Sequence, residues 1–335
     1  RKKMMNGPFS PLLLQYIREA LEQKEQVILF QNRRGFAPMI ECRECGWVPH
    51  CDKCDVSLTY HKSLGQLTCH YCGTTYTVPE VCPCCGSRNL RGRGYGTEKV
   101  EDYVMELFPD ARVARMDLDT TRTRNAYERL ISDFSAHKTD ILIGTQMVSK
   151  GLDFDKVSVV GILNADSMLN YPDFRAYEHA FMMMAQVAGR AGRKGKQGLV
   201  ILQTKSPQLP VITQVVRNDC EGLFADQLEE RQAFCYPPFC HLIYVFLKHR
   251  DDAVVASASM RLGDILRGWF GSRVLGPDKP SVSKVKALNI RKIMLKLENG
   301  IDLAKVRLYL RKAQAMMGQD AKYRSVQIYF DVDPL

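Results

Sequence analysis

Apolar residues first gather at helical spacing between Pro11 and Gln23, where Leu13, Leu14, Ile17 and Leu21 recur on one side. The run Val27-Ile28-Leu29-Phe30 follows, and its length and β-propensity predict a buried strand. The pattern then breaks for about fifty residues. It resumes at Thr97, which is placed to cap a helix reaching Phe108 with Val100, Tyr103, Val104 and Leu107 on its apolar face. Beyond it the pattern predicts strands at Val113–Met116, Ile141–Gly144, Val157–Leu163 and Leu199–Gln203, and helices at Asn125–His137 and Phe174–Ala188. Strands alternating with helices predict a parallel sheet with helices on both faces, interrupted just after its first strand by an insertion. After a helical connection and Pro237-Pro238, the order becomes strand 242–247, helix 251–269, strands 273–275 and 292–297, helix 303–317 and strand 325–332. That order, β-α-β-β-α-β, predicts an α+β ferredoxin-like domain.

The insertion is where the cysteines are. Nine of the chain's 12 cysteines lie between Cys42 and Cys85, four of the spacings being C-x-x-C: 42/45, 51/54, 69/72 and 82/85. Glycine follows three of them, at Gly46, Gly73 and Gly86. Two thiolates on a tight turn, with glycine letting backbone amides point at the sulfurs, is a zinc-knuckle pattern. Eight thiolates make two closed, structural four-cysteine sites. Two pairings fit the order of the motifs. Sequential pairing joins 42/45 with 51/54. Nested pairing, which we favour, joins Cys42, Cys45, Cys82 and Cys85 around an inner set of Cys51, Cys54, Cys69 and Cys72. Cys84 is then a spare thiol, and His50, His61 and His70 are surface histidines near the knuckles, although each is a possible substitute ligand. Trp47 and Tyr71 either pack the small core between the sites or stack on bases.

Charge narrows the class of partner. Lys and Arg total 47 against 37 Asp and Glu, a net charge of +10 in 335 residues, which favours an anionic partner such as nucleic acid or nucleotide. No apolar stretch approaches the length of a membrane helix. Arg1-Lys2-Lys3 is followed by Asn6-Gly7-Pro8 and not by an apolar core, so no signal peptide is expected. The start without Met points to a piece of a longer chain.

The polar residues at strand ends carry the remaining chemistry, because open α/β sheets bind ligands there. Ile141–Gly144 runs into Thr145-Gln146-Met147-Val148-Ser149-Lys150-Gly151-Leu152-Asp153-Phe154, and the first strand runs into Asn32-Arg33-Arg34-Gly35. Gln186-Val187-Ala188-Gly189-Arg190-Ala191-Gly192-Arg193 spaces Gln186, Arg190 and Arg193 to share one side of a helix, an array suited to a polyphosphate. Asn32–Gly35, Gly144–Phe154 and Gln186–Arg193 resemble motifs IV, V and VI, respectively, of superfamily 2 helicases. The eight-cysteine insert, Gly94-Tyr95-Gly96-Thr97-Glu98, Tyr236-Pro237-Pro238-Phe239, Leu275-Gly276-Pro277 and Asp331-Val332-Asp333-Pro334 extend the likeness from Pro8 to Pro334. The chain is similar to the C-terminal half of the bacterial primosomal replication-restart helicases.

The resemblance implies a RecA-like second helicase lobe at 1–205 carrying a zinc insertion at 41–90, a helical linker at 206–236, and a DNA- and protein-interaction domain at 237–335. No G-x-x-x-x-G-K-[S/T] and no D-E-x-H box occurs in the sequence, so ATP and Mg²⁺ are expected only together with a first lobe, and the chain alone is expected to be inactive. Arg193 would be the arginine finger, with Arg190 beside it and Gln186 sensing the nucleotide. Asp153 would couple to the nucleotide. Asn32, Arg33, Arg34, Thr145 and Lys150 would hold DNA phosphates. The implied cofactors are two structural Zn²⁺. The implied partners are branched and single-stranded DNA, single-stranded-DNA-binding protein and other primosome proteins, acting on a monomer in the bacterial cytoplasm at the nucleoid. A rival reading is a non-catalytic zinc-dependent adaptor for DNA and protein.

Overall fold

The computed structural model describes residues 5–32, 39–52, 56–61, 65–69, 73–92, 97–117, 120–121, 123–146, 148, 154, 156–192, 198–280, 283–285 and 287–334. They fall into two compact units: Arg1–Phe36, Arg93–Tyr171 and Arg175–Leu223 form the first, and Ala37–Gly92, Pro172–Phe174 and Phe224–Leu335 the second. Packing thus divides the chain differently from sequence order. The cysteine-rich insert interrupts the first unit's strand order, yet its side chains share a core with the C-terminal domain.

The first unit opens with α1 (Pro11–Glu22), where the Ser10 hydroxyl accepts from the Leu13 N–H and Pro11 sits in the first turn. β1 (Gln26–Phe30) is buried at every position. The chain then makes the insert strands β2 (Ile40–Cys42), β3 (Thr59–His61), β4 (Gln66–Thr68), β5 (Thr75–Thr77) and β6 (Leu90–Gly92). It returns as α2 (Thr97–Leu107), β7 (Val113–Met116), α3 (Arg124–Ser135), β8 (Ile141–Gly144) and β9 (Val157–Ile162). Next come α4 (Asp166–Leu169), α5 (Ala176–Ala188), β10 (Leu199–Leu202) and α6 (Pro210–Arg217). The sheet is fully parallel in the order β10-β9-β1-β8-β7, with Val27 beside Ile141 on one side and Val159 on the other.

Strand alternation sorts this core into two layers. Val27 and Leu29 pack with Leu13 and Ile17 of α1 and with Val100 and Val104 of α2. Ile28 and Phe30 pack with Phe134 of α3, Phe181 and Met184 of α5, and Ile212 of α6. The helices that follow β1 and β9, neighbouring strands, therefore lie on opposite faces. This opens a crevice at the strands' carboxyl ends.

Two expectations change here. Thr97 is the first residue of α2, and its hydroxyl does not cap the helix but donates to the fully buried Asp117 at 2.6 Å. Asp117 also accepts from the Thr120 N–H at 3.1 Å and lies 3.4 Å from the Arg115 guanidinium, tying α2 to the end of β7. Asp117→Ala leaves Thr97 and the Thr120 N–H without this partner and Arg115 with Glu101 alone, at 3.3 Å. The expected cost is about 3–5 kcal/mol, the range for breaking a buried charged network. A lowered thermal midpoint measures it, with Asp117→Asn losing less because its amide oxygen still accepts from Thr97. The second change concerns the helix expected over 174–188, which begins only at Ala176. Phe174 instead belongs to the second unit, stacked 4.4 Å from the ring of Tyr236.

The chain passes through α7 (Cys220–Ala233) into β11 (Cys240–His249), α8 (Asp252–Phe270), β12 (Val274–Asp278), the short β13 (Lys284–Val285), β14 (Leu288–Glu298), α9 (Leu303–Gln319) and β15 (Gln327–Val332). Asp251 and Asp302 cap α8 and α9 through their carboxylates. The sheet is antiparallel in the order β12-β14-β11-β15, the ferredoxin-like arrangement, with β13 added beside β14. β14 runs well past the expected 292–297 because all ten residues of β11 find partners on it, from Cys240 opposite Glu298 to His249 opposite Asn289. Ile243, Val245, Leu247, Ile293 and Leu295 face α8 and α9. On the other face, Leu242 and Met294 pack with Ile40, Val56, Leu58 and Leu67 of the insert. No helix among the described residues is long and apolar enough to cross a membrane.

Candidate metal centre and motor cleft

The insert repeats one backbone device. At each C-x-x-C the first cysteine's N–H donates to the carbonyl five residues on: Cys42 to Trp47, Cys51 to Val56, Cys69 to Thr74 and Cys82 to Ser87, all at 2.8–2.9 Å. In three of them a glycine N–H closes the turn back onto the first cysteine carbonyl, from Gly46, Gly73 and Gly86, each at positive φ. Such turns aim two sulfurs the same way.

The sulfurs of Cys42, Cys45, Cys82 and Cys85 lie within 4.8 Å of one another. Cys42 is 3.6 Å from Cys85, and Cys45 is 3.5 Å from Cys82. Those separations exceed the ~2.05 Å of a disulfide. They fit a tetrahedron of ~2.3 Å Zn–S bonds, whose sulfurs stand about 3.8 Å apart. The pairing of β2 with β6, Cys42 opposite Leu90, brings the two knuckles together. Burial opposes ionisation of Cys42, but backbone N–H groups at Cys45 and Glu44 outweigh it and bring its thiol down to about 6. Burial pushes the Cys45 thiol up, and the surrounding sulfurs add to this. Four packed sulfurs ionise together only around a cation.

The inner set is placed in part. Cys51 and Cys69 are buried in one core cluster, while Cys54 and Cys72 lie outside the described residues. The Tyr76 hydroxyl is 3.2 Å from Cys51 Sγ and accepts from the Asp52 N–H. Burial and the facing Cys51 raise the Tyr76 pKa, so its proton stays available to the sulfur. Tyr76 carries no sequence signal beyond its aromatic type. Cys84 is exposed and outside the four-sulfur group. His50 is exposed, its Nε2 3.2 Å from Ser57 Oγ. Trp47 is half-buried, and Tyr71, His70 and the side chain of His61 are outside the described residues.

In the first unit a cleft of about 320 Å³ opens at the carboxyl ends of β1 and β8, lined by Asn32, Gln146, Tyr171, His179 and Gln186, with Met168, Met182 and Met183 as its apolar wall. Gly144 ends β8 two residues before Gln146. A Cβ there would lie 1.7 Å from Val148 Cγ2, so only glycine lets the fully buried Val148 fold back beneath the strand end. That turn holds Gln146 at the cleft and buries Thr145, which is 5% exposed. Asn32 Oδ1 is buried with no hydrogen-bond partner among the described residues. Gln186 and His179, seven residues apart on α5, are both exposed.

Arg190 does not continue this row. α5 ends at Ala188 with Gly189 as its C-cap, and the Gly192 N–H, at positive φ, bonds the Val157 carbonyl at 3.0 Å. The chain turns to the start of β9, so the four- and three-residue spacings no longer mark one helix face. Arg33, Arg34, Lys150, Asp153 and Arg193 lie outside the described residues. His179 and Tyr171 carry no motif, and only the fold brings them to the cleft.

Residues 51–75 match the PriA DNA helicase Cys-rich region (CRR) domain, 95–195 the helicase conserved C-terminal domain, and 232–335 the primosomal protein N C-terminal domain. The whole chain aligns at 37% identity with 42% of the replication restart protein PriA of Bacillus subtilis (strain 168). The chain belongs to the PriA family. The PriA of Treponema pallidum (strain Nichols) is 40% identical over 97% of this chain and 49% of its own length. The chain thus spans under half the length of both relatives, corresponding to a C-terminal part of PriA. A solved structure of domain 2 of the DEAD-box helicase Mss116p, bound there to an RNA duplex, covers 62% of this chain and 53% of that one at 14% identity, with a TM-score of 0.33. The PriA cysteine-rich match contains the inner four cysteines, and the four-sulfur group flanks it on both sides. The insert is a zinc-binding region of PriA type.

Proposed function

We propose that this chain is the second motor lobe, zinc insert and C-terminal interaction domain of an ATP-dependent DNA helicase that moves 3′ to 5′ and starts primosome assembly at stalled forks. The observation that carries the reading is the cleft at the carboxyl ends of β1 and β8, where Asn32, Gln146 and Gln186 converge in a chain of the PriA family. Gln186 senses the nucleotide held by a first lobe, and Arg193 and Arg190 neutralise its phosphates. Asp153 couples nucleotide to strand movement. Asn32 meets the DNA backbone through its amide N–H₂, which donates to phosphate oxygens, together with Arg33, Arg34 and Lys150. Buried Thr145 positions the loop, and half-buried Gln146, which lines the cleft, takes the contact. Cys42, Cys45, Cys82 and Cys85 hold one Zn²⁺ and Cys51, Cys54, Cys69 and Cys72 a second; both are structural. The protein acts as a cytoplasmic monomer with single-stranded-DNA-binding protein and other primosome proteins.

The sequence contains no P-loop lysine and no D-E-x-H acid, so half of the ATP site is supplied from outside these residues. The chain alone is expected to show no DNA-stimulated ATP hydrolysis, and mixing or fusing it with a first lobe is expected to restore it. Helicase-like turnover by the chain alone overturns the split site. A reconstituted pair that binds DNA but never hydrolyses ATP assigns the chain to an adaptor.

A further inference from the structure

The face of the C-terminal sheet away from α8 and α9 carries a surface the motor reading does not use. Ile243, Val245 and Leu247 of β11 point at the helices, so Tyr244, Phe246 and Lys248 stand on the opposite face. The insert covers one end of that face, around Leu242 and Met294. At the other end Phe246 and Tyr329 are direct cross-strand partners, their rings 5.1 Å apart and 17° from parallel. Tyr244 meets the edge of Phe246 at 6.0 Å. The Lys248 ammonium sits 4.6 Å over the Tyr329 ring, and the buried Lys292 ammonium 4.6 Å over Tyr244. Tyr329 is 39% exposed on the edge strand β15. Asp331 opposite Tyr244 and Asp278 opposite Lys292 bound the patch.

An aromatic cross-strand pair by itself is ordinary sheet stabilisation. What sets this one apart is its place: the end of a four-stranded antiparallel sheet face that the insert leaves partly exposed among the described residues, with cations seated on the rings. Four-stranded sheets that bind unpaired bases use this arrangement, stacking bases on aromatics of neighbouring strands. We propose that this face binds a single DNA strand, stacking unpaired bases on Tyr329 and Phe246 while Lys248 meets the phosphates. DNA as the strand rests on the motor reading above; the stacking chemistry does not. A base stacked on a ring outweighs an exposed lysine–ring contact, so the base displaces Lys248, whose ammonium is then free for the backbone. Such a site holds any sequence, because every base has a flat face.

The test is fluorescence anisotropy of the full chain with an oligo-dT 15-mer and an abasic 15-mer. The wild type is expected to prefer oligo-dT. Phe246→Leu with Tyr329→Leu, which keeps apolar bulk but removes the rings, is expected to weaken oligo-dT binding about 10- to 100-fold, leaving abasic binding and zinc content unchanged. Tyr329→Leu alone, on the exposed edge, gives part of that loss. Photocrosslinking of 5-iodouracil DNA to the wild type is expected to label the Phe246 or Tyr329 peptide. Equal oligo-dT affinity in wild type and double variant, with crosslinks confined to the first unit, overturns the platform and leaves the motor reading standing. A wild type that binds no DNA overturns both. A dimer that dissociates in the double variant while oligo-dT affinity is unchanged assigns the face to a second copy and overturns the proposal.

Discussion

Cys45→Ser is expected to lower the zinc content from two equivalents per chain to one, and to unfold the outer part of the insert without unfolding the C-terminal sheet. The four-sulfur group that includes Cys45 closes residues 42–45 onto 82–85, beside the three-residue ladder of β2 and β6 and two hydrogen bonds that join Arg43 and Glu44 to Asn89. A strand pair that short has little stability of its own. A structural zinc contributes about 10–16 kcal/mol in zinc-finger peptides, as much as a whole domain's net stability. Losing it therefore releases β2 and β6. The C-terminal sheet persists, because Ile243, Val245, Leu262, Leu295 and Leu310 form a core that needs no metal. Amide exchange should accelerate around residues 40–46 and 82–92 while β11 and β14 stay protected. Cys84→Ser is the control: this exposed thiol lies outside the group, so zinc content should stay at two. Two equivalents retained by Cys45→Ser, or one lost by Cys84→Ser, would break this ligand assignment.

The knuckles were legible because C-x-x-C followed by glycine is local geometry: Gly46 and Gly86 stand at positive φ where the turn needs them. The strands Val113–Met116 and Ile141–Gly144 were legible to the residue, the second as a short apolar run and the first as a short, largely apolar stretch interrupted by Arg115. What stayed hidden is long-range. Nothing local tells that the insert's Ile40 and Leu67 share a core with Leu242 and Met294, or that Phe174 leaves its helix to stack on Tyr236. The same holds for two basic residues of the last domain, whose residue type alone suggests exposure. Arg291 is buried and bonds Asp252 at 2.7 Å, while Lys296 lies 3.8 Å over Tyr236 and donates to the Phe234 carbonyl. Their charges are committed to internal partners. At the cleft, the motif put Thr145 forward as a phosphate contact and gave its neighbour Gln146 no role. Only the fold of Val148 beneath Gly144 buries one and presents the other.

In the complete protein, Arg193→Ala is expected to lower DNA-stimulated kcat for ATP by about 10³-fold or more, the range for an arginine that stabilises a transferring phosphoryl group. The expectation rests on the order of the motif. α5 presents Gln186 to the cleft, Gly189 stops the helix, and Gly192 turns the chain immediately before Arg193. A glycine-flanked arginine just beyond a helix end can approach a nucleotide on a facing lobe more closely than one held on the helix barrel. Its effect falls on the step where charge develops, so kcat drops while ATP binding changes little. Lysine should not rescue it, because a point charge does not reproduce the planar two-pronged contact. Gln186→Ala, which removes a neutral hydrogen-bonding group, should cost far less. Single-strand affinity and the zinc count should match wild type in both variants, separating a lost catalytic charge from a damaged fold. Undiminished hydrolysis in Arg193→Ala would remove this arginine from the ATP site.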